Sequence, residues 1–501
     1  MYYIAIAENE HDSCITISNE ERVLLHLELE RFFNIKRYKI NNLDILFSII
    51  SLLIQEFSIK DKIQFILSKH RSAKLYQELI NRIYTDYGCS NIYEVEHLDC
   101  HAAFCYLSNL EDALVVAMDG GGDYRIDLNE ANFRIYHYKN NIIIPLKMAY
   151  EPRFDGRIWS IVSQKLFNDR FSAGKTMGIA AYGKFSTKYQ EILLNENFFQ
   201  LGDIWRPKKR NLLLSYLDVK NFHEAACLAY TLQNLFTHNL IQTLSKYRSY
   251  SDNLVLSGGC ALNVITNSAI GTELTYKNVY VPPCPGDEGQ SLGALLYYFA
   301  SQGRNINVSN ISYLGQGFEY NKILECDYNK LVSLIIDHKI VAWHMGRSET
   351  GPRALGHRSI LALPTQMKMK VRVSETIKKR EFFRPVAPII LEEYVSEWFE
   401  LKFPSPYMSF AAKAKDITRE LAPAIVHVDG TSRIQTLTRE INPELYELIL
   451  RVYELTGIPM LINTSLNIAG LPICNFEHHS KQLFVTTTID ALNLNGNIYV
   501  K

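Results

Sequence analysis

Two histidines, His97 and His101, stand four residues apart in the segment HLDCHA. On a helix, that spacing puts both imidazoles on one face, an arrangement that suits a transition metal. A lone HxxxH pair is often incidental. The reading strengthens if carboxylates from neighbouring strand ends join it. Asp119 ends the apolar run ALVVAMD, and Asp287 lies in the glycine turn of PPCPGDEG. Two imidazoles with one or two carboxylates suit iron or zinc, with a position left open for substrate.

Other residues could serve a second chemistry. LSGGCALN (Gly258, Gly259, Asn263) and PGDEGQSLGA (Gly286) each follow a strand-like run and open a helix. Such turns free backbone N–H groups for phosphate or let a ribose approach, although tight strand–helix packing needs glycine as well. His11, in ENEHDSC directly after the first strand, is a candidate general base for a hydroxyl. The plainer alternative is a hydrogen-bonded loop histidine. Later in the chain, Arg347, Arg353, Arg358, Lys378, Lys379, Arg380, Arg384 and Arg433 sit in motifs such as GPR and FRP, where turns fix the backbone. Fixed guanidinium forks suit phosphate and carboxylate, against a plainer role in salt bridges to glutamates. INTSLN adds Asn463 and Ser465 at the end of an apolar run, able to hydrogen-bond a small polar group.

Strands and helices must position these groups. Residues 2–8 and 23–30 read as strands, and helical spacing follows at 43–57 and 72–85. ALVVAMD (113–119) reads as a buried strand before a glycine turn, and 133–151 as a hairpin. Residues 223–247 form a long amphipathic helix, and 253–263 and 278–300 each read as strand, glycine turn and helix. This alternation implies an α/β fold with parallel strands, and ligands lie beyond the carboxyl ends of such strands. After about residue 325 the motifs become charged, and the remaining stretch of about 175 residues is long enough for its own core. The boundary is expected near 320–328, giving units 1–322 and 323–501.

Composition excludes several classes. The 501 residues carry zero formal net charge, so no polyanion partner is held by bulk charge. The short run RPKKR (206–210) reads as a solvated loop rather than a nucleic-acid patch. No apolar stretch is long enough to span a membrane, and ILFSIISLLI (45–54) fits a buried helix. The N-terminus lacks the features of a signal peptide. Nine scattered cysteines without a CxxC pair argue for reduced thiols in a cytoplasmic protein.

Taken in order, the motifs resemble those of the NodU/CmcH family of O-carbamoyltransferases over nearly the whole chain. HDSC (11–14), ELERFFNIK (28–36), HLDCHA (97–102), GKTMGIAAYG (174–183), GGCALN (258–263) and PPCPGDEGQSLGA (282–294) match the first half. GPRALGHRSIL (351–361), KKREFFRPVAP (378–388), HVDGTSRIQ (427–435) and NTSLN (463–467) match the second. The resemblance implies an N-terminal duplicated α/β domain of the sugar-kinase/actin type, related to tRNA-threonylcarbamoyl transferases, and a C-terminal YrdC-like α/β domain. It implies that carbamoyl phosphate and ATP, with Mg2+, give carbamoyl-adenylate in the C-terminal domain. The carbamoyl group then passes to a hydroxyl at an iron site, Fe2+ being the expected ion.

By the same resemblance, His97, His101, Asp119 and Asp287 hold the metal and His11 takes the acceptor proton. Arg353, Lys378, Arg384, Arg433 and Ser465 line the adenylation site, with Asn463, Gly258, Gly259, Asn263 and Gly286 beside the nucleotide. Three positions depart from the pattern: Leu98 replaces a histidine, Asp123 a glutamate and His357 an asparagine. The expected partner is a small-molecule hydroxyl acceptor, with no nucleic acid or membrane, and a homodimer is compatible with this. An aminoglycoside, a lipochitooligosaccharide, a β-lactam or a toxin alcohol would each suit as acceptor. Two alternatives were weighed. A tRNA threonylcarbamoylation enzyme would need a basic face for RNA. A degenerate sensor that binds nucleotide and metal would have lost His11, a metal ligand or the Arg/Lys set.

Overall fold

A computed structural model describes residues 1–9, 11–60, 62–69, 73–120, 132–147, 156–195, 207–317 and 326–501. The first sheet comprises β1 (Tyr2–Ala7), β2 (Cys14–Asn19), β3 (Val23–Glu28), β4 (Ile63–Lys69) and β5 (Tyr93–Glu96). The second comprises β6 (Asp112–Met118), β7 (Phe133–Lys139), β8 (Ile142–Pro145), β9 (Asn253–Ser257) and β10 (Asn278–Tyr280). Their orders are β3-β2-β1-β4-β5 and β8-β7-β6-β9-β10. In each, the first three strands run antiparallel, and the fourth and fifth add in parallel to the first. One topology therefore occurs twice, the duplication expected of a sugar-kinase/actin-like unit.

The strands at the centre of each sheet read as unbroken apolar runs because both faces are covered. Ile4 and Ile6 of β1 pack with Leu46, Ile50 and Leu53 of the helix Leu43–Glu56 on one face. Tyr3 and Ala5 pack with Leu292, Leu295 and Phe299 of the helix Gln290–Ser301 on the other. The helix Phe222–Ser245 covers the second sheet through Leu228, Leu232, Phe236 and Leu240. Its cap is Asn221, whose side chain accepts from the Glu224 N–H, satisfying one of the open donors of the first turn.

The third sheet has nine strands: β11 (Val341–His344), β12 (Arg358–Ala362), β13 (Ala387–Leu391), β14 (Phe399–Glu400), β15 (Phe410–Ala414), β16 (Thr431–Leu437), β17 (Met460–Ser465), β18 (Ala491–Leu494) and β19 (Asn497–Val500). The order is β14-β15-β16-β13-β17-β12-β11-β18-β19. Its core, from Leu331 to Leu494, is built wholly from the C-terminal half. The expected domain boundary at 322 and 323 lies outside the described residues, as do Gly121, Gly122 and Asp123 of the first glycine turn.

The structure alters some expectations. Cys14–Asn19 is a strand, β2, inserted between the two strands read at the N-terminus. Within RPKKR, Pro207–Arg210 opens the helix Pro207–Tyr216 instead of forming a loop. Proline at the first helical position costs no hydrogen bond, because that N–H has no partner in any helix. Helix Leu43–Glu56 buries one face only, leaving Ile45 and Leu52 exposed. Among the described residues no helix is long and apolar enough to cross a membrane, and all nine cysteines are free thiols.

Two glycines set the close approaches around which the sheets meet. Gly258, just after β9, has φ +87°, and a Cβ there would stand 1.9 Å from the Met118 carbonyl oxygen of β6. Gly293 lets the helix Gln290–Ser301 lie on the helix His97–Ala102, because a Cβ would meet the Cys100 carbonyl oxygen at 2.1 Å. Gly258→Ala is expected to cost about 2 kcal/mol or more, as both the backbone and the packing forbid it. Urea unfolding monitored by tryptophan fluorescence measures this loss.

Candidate active site

The carboxyl end of β5, in the first sheet, meets those of β6 and β9, neighbours in the second. β5 runs directly into the helix His97–Ala102, so both histidines leave the same face. The two Nε2 atoms stand 3.2 Å apart. His97 Nε2 lies 3.4 Å from Asp119 Oδ2 and 3.4 Å from Asp287 Oδ1, and His101 Nε2 lies 3.6 Å from the same Asp287 oxygen. One ligand atom from each of the four residues falls within 4.8 Å of the others.

The surroundings orient these groups. Asp119 follows β6, and its Oδ1 accepts the Gly259 N–H at 3.0 Å, leaving Oδ2 for the cluster. The Asp287 backbone carbonyl accepts from Asn9 Nδ2 at 3.2 Å. Asp287 Oδ1 is buried without a hydrogen bond, its distances to the imidazoles being too long for one. Burial opposes ionisation of Asp287, but the imidazoles of His97, His101 and His11 outweigh it and hold the carboxyl well below the usual carboxylate range. Two nitrogen and two oxygen donors, almost fully buried and with an orphaned carboxylate oxygen, fit a divalent iron or zinc ion.

His11 lies in the turn between β1 and β2, beside this cluster. Its Nδ1 is 2.8 Å from Asp12 Oδ2, and its Nε2 points toward Asp287 Oδ2 at 3.9 Å. Burial disfavours the imidazolium, yet the bond to Asp12 and the charges of Asp287 and Asp119 carry its pKa up to about 9. Asp12 has φ 57°, a left-handed conformation that aspartate tolerates. Asp12 was missed in the sequence, although its place next to His11 in HDSC is a signal for a carboxylate that orients the ring.

The arginines divide into two groups. Arg358 is buried and bound to the Met345, Gly346 and Asn475 carbonyls, and Arg347 binds the Gly315, Leu24 and Leu314 carbonyls. These two hold backbone. Arg353, Arg380, Arg384 and Arg433 instead converge on a cavity of ≈ 630 Å³, together with Asn463, Ser465 and Asn467. Burial and neighbouring guanidinium groups push Arg353 down to about 10, Arg380 down to about 9 and Arg433 well below its ordinary value. Guanidinium stays charged in proteins, so four such groups crowded at one cavity suit an anionic ligand. The Nε of Arg433 and Oδ1 of Asn463 are buried without partners, which leaves a donor and an acceptor for a ligand.

Several expected roles change. Lys378 does not line the cavity. Its fully buried Nζ is surrounded by Ser465 Oγ at 3.0 Å, the Asn467 carbonyl at 3.0 Å and further oxygens of the same two residues, so it fastens the end of β17. Gly258, Gly259, Asn263 and Gly286 also lie outside the lining. Gly259 orients Asp119, and Gly286 donates to Glu288 Oε1 at 3.0 Å. Asn263 caps the helix Val264–Glu273 and donates to Gln233. Their turns orient the metal cluster and shape the packing. Leu98 is buried against Ala102, Cys105 and Val115, so this departure from the motif fills a core position. His357 stacks on Tyr313 with ring centroids 3.5 Å apart and bonds the Arg347 carbonyl at 2.6 Å.

Family models for the carbamoyltransferase N-terminus and C-terminus match residues 54–296 and 332–501. The chain belongs to the carbamoyltransferase family. It is 30% identical to nodulation protein NolNO of Sinorhizobium fredii over 442 residues, 81% of this chain and 64% of that protein. Nodulation protein NolO of Bradyrhizobium diazoefficiens is 29% identical over 432 residues, 79% of this chain and 77% of that one. An uncharacterized protein of Methanocaldococcus jannaschii is 31% identical over 460 residues, 85% of both chains. The chain thus spans a little under two thirds of NolNO and most of the archaeal relative.

The cluster predicts a metal dependence. The purified chain is expected to retain iron or zinc by elemental analysis, and His101→Ala or Asp119→Ala to lose it. At a free metal concentration of 100 Kd, stabilisation of the unmutated protein should reach about 2.7 kcal/mol, and the variants should show none of it.

Proposed function

We propose that this family member is an ATP-dependent O-carbamoyltransferase with two reactions at one cavity. The observation that carries the reading is the shared lining. The cavity wall includes Arg353, Arg380, Arg384 and Arg433 from the C-terminal unit, and also Asp12 and Glu288, the chain neighbours of His11 and Asp287. Its volume of ≈ 630 Å³ falls in the range of small-molecule sites.

In this reading, water converts carbamoyl phosphate to carbamate and phosphate. A carbamate oxygen attacks the α-phosphorus of Mg2+-bound ATP, forming carbamoyl-adenylate and releasing pyrophosphate. The four guanidinium groups neutralise charge that develops on the phosphoryl oxygens, an effect strengthened by partial exclusion of water. Lys378 keeps Ser465 and Asn467 in place at the wall. The adenylate then meets the acceptor within the same cavity, without passing through bulk solvent.

Transfer needs a hydroxyl stripped of its proton. Asp12 accepts from Nδ1–H of His11 and turns Nε2 toward the cluster; a divalent ion held by Asp287 and Asp119 would offset the two charges that raise the His11 pKa, so that Nε2 would be unprotonated and in position to take the acceptor proton. His97, His101, Asp119 and Asp287 would hold the metal, iron in this proposal. When bound, it supplies Lewis acidity that polarises the carbamoyl carbonyl. The hydroxyl oxygen bonds to the carbamoyl carbon as the bond to AMP breaks. The acceptor is a small hydroxylated molecule in a cytoplasmic protein.

The test uses purified protein, ATP and carbamoyl phosphate without acceptor. Pyrophosphate release that requires carbamoyl phosphate is expected, and its absence would sink the proposal. Arg433→Ala should lower the rate by about 100-fold or more and leave metal content unchanged. His97→Ala should do the reverse, losing metal and keeping pyrophosphate release.

A further inference from the structure

A short loop, Glu349–Arg353, links the two sites, and the residue that holds it belongs to the opposite unit. Arg31, in the ELERFF segment, is 3% exposed. Its Nε pairs with Glu28 Oε2 at 3.1 Å. Its two terminal nitrogens donate to the carbonyls of Glu349 and Gly351. Glu28 Oε1 accepts the Gly351 N–H at 2.6 Å. On the loop's other side stands the turn that leads to Asp287. Gly351 has φ +89°, and a Cβ there would meet the Pro283 carbonyl oxygen at 2.0 Å.

The loop is therefore gripped from both sides, and two residues later Arg353 enters the cavity. The Glu349 carboxylate secures the exit, accepting the N–H groups of Leu355, His357 and Arg358 at 3.0, 2.9 and 2.8 Å. Only a planar guanidinium fork reaches a carboxylate and two carbonyls at once; a lysine ammonium is a point charge without that geometry. Among the described residues no side chain hydrogen-bonds or ion-pairs with Arg353, and Glu288 acts on it only through its charge, so its direction is set chiefly by its own backbone.

We propose that Arg31 is a positioning residue for the anion site: by fixing the Glu349–Gly351 backbone it aims the Arg353 guanidinium at the phosphates of the bound nucleotide. This rests on the reading of the arginine set as a phosphate site. It makes the N-terminal unit a part of donor synthesis, beyond the Lys36 and Arg37 side chains that it adds to the cavity wall.

The test is a double-mutant cycle on the full-length chain, with inorganic pyrophosphate as the probe and calorimetry as the readout. Arg31→Lys is expected to weaken pyrophosphate binding about tenfold. Arg353→Lys should weaken it by a similar factor, and the double variant no further than Arg353→Lys alone, because Arg31 acts through Arg353. A purely structural Arg31 would lower the unfolding temperature without changing affinity, so all variants are compared where thermal melts show them folded. Unchanged binding by Arg31→Lys, or losses that multiply in the double variant, would overturn the proposal. If the unmutated chain binds no pyrophosphate, the phosphate-site reading falls and this inference with it. Should Arg31→Lys not fold, Gly351→Ala displaces the same loop from the Pro283 side. The same loss and the same non-additivity are then expected, and unaltered affinity would overturn the proposal.

Discussion

Uncompensated charge of one sign, gathered at two places, is the constraint on which the rest of the structure depends. Four guanidinium groups converge on one wall of a cavity, and among the described residues only Arg384 of the four is in an ion pair, with Glu381 at 3.8 Å. Near it, two carboxylates turn toward two imidazoles with an oxygen left unbonded. Burying charge without a partner is costly, so such sites persist where a ligand completes them. The anionic nucleotide and the cationic metal are the complements that these two arrangements require.

Much of the surrounding fold serves to hold these charges against their own tendency to separate. The duplicated topology brings the ends of β5, β6 and β9 together, and glycine permits the close approach of residue 258 to Met118 and of residue 293 to Cys100. On the other side, Lys378 and Arg358 spend their hydrogen bonds on backbone and on Ser465 and Asn467. They resemble the ligand-binding cations in sequence but act as fasteners. Lys378 and Arg358 are surrounded by protein oxygens, whereas the four cavity arginines crowd one another and keep donors turned to the cavity. That difference divides the basic residues of the C-terminal half by role.

The two units are joined by buried polar contacts as well as by apolar packing. Arg347 reaches carbonyls of the N-terminal unit, and the Glu28–Arg31 pair reaches the Glu349–Gly351 loop in return. Aromatic rings add to this: Phe382 and Phe383 meet Phe222, and Tyr182 lies edge-on to His427. A joint of this kind keeps the two charged sites at a constant separation.

The sequence by itself determined the α/β class, most of the strands and helices of the N-terminal half and the residues of the metal cluster. These are local or periodic signals: an i, i+4 pair on one helix, carboxylates at strand ends and apolar runs of fixed length. β2 escaped because CITISN mixes polar with apolar residues and lies between two polar turns. Only the tertiary structure decided which basic residues face the cavity, since GPR, KKR and HRS look alike until the oxygens around each cation are known. It moved Lys378 from the cavity wall to its support, and it showed that Gly258, Gly259, Asn263 and Gly286 lie outside that wall, in turns that orient Asp119 and shape the packing. It also revealed Asp12 beside His11, and Arg31 and Glu28 acting across more than 300 residues of chain on Gly351. The physical reason is common to all these cases: what a polar side chain does depends on which partners remain unsatisfied around it, and those partners come from distant segments.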